Sequence, residues 1–174
     1  ELGSTMDVLH RLAEGLGSDV SYFLHGGPAE VSGRGEVVEG FDIADPLWFV
    51  LALSGRALST ATVYAAWDDG GQTGPDGAAP ARAAVASGDP SAVTACIRND
   101  LEAAAIDLMP ELAAVKERLT ASGALAVGMS GSGPTLYGLC RDREHARQVA
   151  GSAAGVCPRI EVVSSVATAV AREG

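Results

Sequence analysis

The stretch GMSGSGPTLYGLC, residues 128–140, decides how the chain is read. Ser130, Gly131, Ser132 and Gly133 stand between two apolar runs, ALAVGM before and TLYGLC after. Glycine supplies positive φ and Pro134 a fixed φ, so the segment by itself reads as a hairpin connection between strands. The same small residues allow a second reading. Successive backbone N–H groups can approach an anion with no Cβ in the way. The loop is not a P-loop, because it lacks Gly-Lys-Ser/Thr and does not lead into a helix.

Working outward, the apolar run LWFVLALS, residues 47–54, has the length of a buried strand. RIEVVSSVATAV, residues 159–170, gives a final strand or pair of strand pieces. Helices are expected after Ser59 or Thr60, with Val63, Tyr64 and Trp67 on one face, and over 143–155. Another runs over GDPSAVTACIRNDLEAAAIDL, residues 88–108, where Asp89 suits the N-cap and Pro90 the first turn. Pro110 opens one more, with Leu112, Val115 and Leu119 inward. Residues 70–80, GGQTGPDGAAP, read as a flexible loop. The order implies an α+β sandwich with helices on one face of a mostly antiparallel sheet. Before it, residues 5–15 read as a short helix capped by Ser4 or Thr5, with Val8, Leu9 and Leu12 as its apolar stripe. Residues 28–41 read as two strand pieces around SGRGE.

The formal charge of −10 over 174 residues disfavours nucleic acid and anionic membranes as partners. A small anionic ligand remains compatible, because backbone N–H groups bind it locally. No apolar run approaches the roughly 20 residues that span a bilayer, and a cytoplasmic location is expected. Cys96, Cys140 and Cys157 are odd in number with no CxxC spacing, so reduced thiols are expected rather than disulfides or a metal site. His10, His25 and His145 form no ligand pattern. The chain opens in helical rhythm without an initiator methionine, and a longer protein is expected around it.

Asp19, at the head of a short apolar segment Val20 to Leu24, has two readings. It satisfies backbone N–H groups of the LGSD turn, or it accepts a proton from a substrate hydroxyl. Ser59 and Ser130 lack a GxSxG elbow, which sets acyl transfer aside. Lys116, the sole lysine, sits at the edge of an amphipathic helix and reads as solvated rather than as a phosphate clamp.

Two segments together carry a resemblance. LGSDVSYFLHGGPAEVSGRGE, residues 16–36, resembles the middle of the bacterial 4-diphosphocytidyl-2-C-methylerythritol kinases, of the GHMP kinase superfamily. GMSGSGPTLYGLC resembles that superfamily's third glycine-rich motif, and RNDLEAAAIDLMPEL, residues 98–112, is similar to the same kinases' C-terminal domain. The resemblance implies a remnant of the N-terminal domain over 1–45 and a GHMP kinase C-terminal domain over 46–174. It implies phosphoryl transfer from ATP, with Mg2+, to the 2-hydroxyl of a diphosphocytidyl-methylerythritol substrate in non-mevalonate isoprenoid synthesis. Asp19 matches the catalytic aspartate, and Ser130, Gly131, Ser132 and Gly133 match the loop bordering nucleotide and phosphate. Thr60 and Tyr64 fall where the family places a substrate-pocket threonine and a cytosine-stacking aromatic. No metal-ligating residue of this chain is implied.

The sequence departs from the family pattern in two places. Ser21 stands where the family has proline, which is expected to loosen the turn after Asp19. The N-terminal catalytic lysine and long glycine-rich ATP loop have no counterpart, so this polypeptide alone is expected not to phosphorylate its substrate. An uncovered apolar patch around residues 8–24 is expected for the same reason. A GHMP kinase of another substrate, such as homoserine or a mevalonate, and a non-catalytic ligand-binding or interaction module are the alternatives.

Overall fold

The computed structural model describes residues 6–17, 19–70 and 78–166. The Ser4 or Thr5 cap, Ser18, residues 71–77 of the 70–80 loop and the end of the final strand lie outside them. The chain divides into two compact units. One is Leu47–Ser164, and the described residues on either side of it belong to the other.

The smaller unit holds α1 (Met6–Leu16), α2 (Val20–His25) and the antiparallel pair β1 (Ala29–Ser32) and β2 (Val37–Gly40). The hairpin expected around SGRGE is present, with Ser32 opposite Val37 and Ala29 opposite Gly40. The short apolar segment after Asp19 is the helix α2, anchored by the Tyr22 hydroxyl donating to the Gly27 carbonyl (2.9 Å). Ser21 is a buried residue of that helix, so the expected loosening of the turn is not seen: the chain coils at once. The apolar stripe of α1 also differs from expectation. Ala13 is buried while Leu12 is exposed, as are Leu16 and Phe23.

The larger unit is built on a four-stranded antiparallel sheet in the order β4-β5-β3-β6. Its strands are β3 (Trp48–Leu53), β4 (Ala126–Met129), β5 (Leu136–Cys140) and β6 (Arg159–Ser164). The apolar run expected as a buried strand is β3, paired with β5 and β6 on its two edges. The register sets Ala52 opposite Leu136 and Ile160, and Val50 opposite Gly138 and Val162. Side chains alternate across a sheet, so these share one face. Against it lie α3 (Thr60–Asp68), α6 (Glu102–Leu108), α7 (Glu111–Ala121) and α8 (Arg143–Ser152), through Val63, Ala105, Leu112, Leu119 and Val149. Burying each such leucine or valine contributes about 1.5–3 kcal/mol. This is the expected α+β architecture.

The opposite face adds something the sequence did not suggest. Leu139 and Phe49 point to it, and a smaller cluster forms there with Leu47, Val93, Ile97, Ala84 and Val85. Its helices are α4 (Ala78–Ser87), which begins inside the loop expected over 70–80, and α5 (Pro90–Thr94). The helix expected over 88–108 is therefore two helices, α5 and α6, with non-helical chain at 95–101. The physical reason is the sheet. Val93 and Ile97 pack on one face and Ala104 and Ala105 on the other. A single straight helix presents one stripe to one surface, so the chain breaks to change faces. Asp89 does cap α5, accepting from the Ser91 N–H (2.8 Å), with Pro90 first in the helix. Among the described residues no helix is long and apolar enough to cross a membrane.

Candidate functional site

The β4–β5 connection is a tight loop with its own frame. The Ser130 N–H donates to the Thr135 carbonyl and the Gly133 N–H to the Ser130 carbonyl, both at 2.9 Å. Gly131 and Gly133 take φ of 55° and 82°. At Gly133 this left-handed backbone is matched by close packing: an added Cβ would sit 2.7 Å from Met129 Sδ. Gly131 and Ser132 find no partner for their N–H groups among the described residues. The hairpin reading and the amide-presenting reading are thus compatible, since the turn closes while two donors stay free.

Two residues distant in sequence hold this loop. Thr60, at the first position of α3, places its Oγ1 2.9 Å from Ser132 Oγ. Ser59, not Thr60, is the cap of α3, accepting from the Thr62 N–H, which leaves the Thr60 hydroxyl for the loop. Asn99 donates from Nδ2 to the Met129 carbonyl (2.9 Å) and the Gly131 carbonyl (2.7 Å). Its Oδ1 accepts from the Leu101 N–H (2.9 Å). Sequence reasoning missed Asn99 by running one helix through it. The signal was present: asparagine disfavours helix interiors because its side chain competes for nearby backbone groups.

Tyr64 lies one helical turn on from Thr60 and is 50% exposed. It does not share the core face with Val63 and Trp67 as the periodicity implied. Val63 occupies the inward position, and the next residue along a helix turns about 100° away from it. The ring is left available as a flat surface.

Asp19 belongs to the other unit, in the N-cap position of α2 with no side-chain capping hydrogen bond. It is exposed. Its carboxylate is not used to cap α2. Lys116 is not simply solvated: its ammonium pairs with the Glu102 carboxylate, joining α7 to α6. His145 is also spoken for, its Nδ1 accepting from the Arg141 N–H (3.1 Å). The three cysteines are free thiols, and burial pushes Cys140 up to about 11, which disqualifies it as a nucleophile at neutral pH. Burial, then the nearby Glu102 carboxylate, raises the Tyr137 phenol as well.

Residues 81–158 match the family model described as GHMP kinases C terminal. A 4-diphosphocytidyl-2-C-methyl-D-erythritol kinase of a Nocardioides species is 44% identical over 157 residues, covering 88% of this chain and 53% of the relative. The kinase of that name from Mycolicibacterium smegmatis is 41% identical over 172 residues, covering 94% and 53%. A crystal structure of a 4-(cytidine 5'-diphospho)-2C-methyl-D-erythritol kinase superposes with a TM-score of 0.71 at 33% identity, over 90% of this chain and 56% of that one. Homoserine kinase from Cytophaga hutchinsonii gives a TM-score of 0.73 at 18% identity, over 97% and 60%, a likeness of fold alone. The chain spans about half the length of the curated relatives it matches.

Proposed function

We propose that the chain is the C-terminal part of a GHMP kinase and serves ATP-dependent phosphoryl transfer to the 2-hydroxyl of 4-diphosphocytidyl-2-C-methyl-D-erythritol; the match of residues 81–158 to the C-terminal family model and the likeness to the kinase crystal structure support the reading. One observation carries the reading at the site. The hydrogen bond between Thr60 and Ser132 joins the residue assigned to substrate with the loop assigned to phosphate, across 72 positions of sequence. Residues assigned separately, on different segments, share one place.

In this reading the acceptor oxygen attacks the γ-phosphorus, the bond to the bridging oxygen of ADP breaks, and the hydroxyl proton passes to the Asp19 carboxylate. An exposed carboxylate with no capping bond is chemically suited to orient and accept that proton. The free N–H groups of Gly131 and Ser132 face charge on phosphate oxygens, and such pre-placed donors supply most of the catalysis in phosphoryl transfer. The Tyr64 ring offers a face for a pyrimidine. Among the described residues no cluster of His, Cys, Asp and Glu side chains suits a metal ion. Magnesium carried by ATP needs only one or two carboxylates beside the phosphates, and no step here runs through it. The substrate is small and the partners expected are ATP and this cytidine diphosphate ester.

The test is transfer of labelled phosphate from ATP to the ester. The chain is assayed alone and fused behind the N-terminal half of the Nocardioides relative. The fusion should turn over, and Asp19→Asn should lower its kcat by about 10²–10⁴-fold while substrate binding persists. Normal turnover by the Asp19→Asn fusion would end the assignment of Asp19. Failure of the fusion to transfer phosphate to this ester, with transfer to another alcohol, would change the substrate.

A further inference from the structure

We propose that Asn99 is the positioning residue of the glycine loop, and that its side-chain amide sets the direction in which the Ser132 N–H points. The ligand named for that N–H rests on the kinase reading above; the positioning rests on the hydrogen bonds alone. A trans peptide is planar, with its C=O and N–H opposed. The carbonyl of Gly131 and the N–H of Ser132 belong to one such plane. Asn99 Nδ2 holds that carbonyl at 2.7 Å, so the N–H of Ser132 is turned to the far side. The same nitrogen holds the Met129 carbonyl at 2.9 Å, and the N–H of that plane, on Ser130, meets the Thr135 carbonyl. Asn99 thus grips two of the loop's planes: one closes the hairpin and the other is left presenting a donor.

The residue type follows from the geometry. The position needs two donors on one atom for two carbonyls and an acceptor on the other atom for the Leu101 N–H. An amide side chain meets all three needs. Aspartate has the shape and the acceptor but no donor. It therefore separates two roles of Asn99, the local turn to the Leu101 N–H that leads into α6 and the grip on the loop. In Asn99→Asp that turn persists, and a negative charge near the start of a helix is favourable. The grip is lost, and a carboxylate is set against two carbonyl oxygens.

The experiment is amide NMR on the whole 15N-labelled chain, comparing wild type with Asn99→Asp and Asn99→Ala, alongside thermal unfolding and the fusion's kinetics. In Asn99→Asp the α6 amides should stay near wild type, and the unfolding midpoint should fall with the lost grip. The Ser132 and Gly131 resonances should move, and their heteronuclear NOE should drop. As pH falls and the new carboxyl takes up a proton, it gains one donor, and these resonances should move back toward wild type. Asn99→Ala should disturb both loop and helix start and show no such recovery. In the fusion, kcat should fall about 10–100-fold in both variants with smaller change in KM, the cost of a misplaced donor. A loop in Asn99→Asp that matches wild type overturns the proposal, as does equal loss of midpoint in both variants with unmoved loop resonances. A disturbed loop together with a wild-type fusion that transfers no phosphate upholds the positioning and sinks the kinase reading instead.

Discussion

Two glycine-bearing turns each join a pair of antiparallel strands here, and they are held differently. In SGRGE, residues 32–36, the frame is local. The Glu36 carboxylate accepts from the Arg34 N–H (2.6 Å), and the Gly35 N–H donates to the Ser32 carbonyl (3.2 Å). In SGSG, residues 130–133, closure is local but orientation is not, for Asn99 and Thr60 reach in from other elements. A turn that only reverses the chain needs nothing beyond itself. A turn whose free amides must face a ligand benefits from a frame that fixes each peptide plane.

The sharpest test of the contrast is a methyl group in each turn. Gly133→Ala puts a Cβ on a φ of 82° and against Met129, a buried side chain. A loss of roughly 2–4 kcal/mol is expected from left-handed strain plus overpacking, read by denaturant unfolding. Gly33→Ala, at φ 69°, meets only the movable Glu36 carboxylate. Its cost should be smaller, about 1–2 kcal/mol, and NMR changes should stay within the β1–β2 hairpin. Equal losses in the two variants would erase the distinction.

The distinction itself was only partly readable from sequence. Both turns announce themselves through glycine between apolar runs, because positive φ is a local demand. The strands around them, and α7 with its buried Leu112, Val115 and Leu119, are legible for the same reason: their periodicity is local. What failed was nonlocal. The break between α5 and α6 comes from the chain changing faces of a sheet, and no window of residues 88–108 contains that sheet. Asn99 was hidden with the break. Tyr64 was misplaced by a periodicity that fits several apolar residues on one face without saying which one the core has room for. Thr60 and the loop were singled out by family resemblance, and no property of either segment alone predicts their contact.

The next effect is smaller and touches that contact. Thr60→Val keeps the shape and removes one hydroxyl. The hydrogen bond joins two groups near solvent, so roughly 0.5–1 kcal/mol is expected in stability. A double-mutant cycle with Ser132→Ala should return a coupling of about that size. On the kinase reading, KM for the cytidine ester should rise several-fold with kcat little changed, because a binding group has gone and the charge-stabilising amides remain. A zero coupling would detach Thr60 from the loop and leave Asn99 as its one long-range tie among the described residues.

The smallest effect belongs to the self-contained turn and has a definite pH sign. Hydrogen bonds from its own N–H and then from the Arg34 N–H hold the Glu36 carboxyl below its ordinary 4.5. A depressed carboxyl contributes stability that is present above the unfolded value and is lost as pH falls through the folded one. The Arg34 amide resonance should therefore titrate with a midpoint under 4.5, moving toward its unbonded position as the carboxylate is protonated. Glu36→Gln should flatten that titration. Ser132, whose orientation depends on an amide rather than an ionising group, should show no matching inflection in the wild type. Such an inflection at Ser132 would mean that a carboxylate also helps to hold that loop, and the contrast between the two turns would have to be redrawn around it.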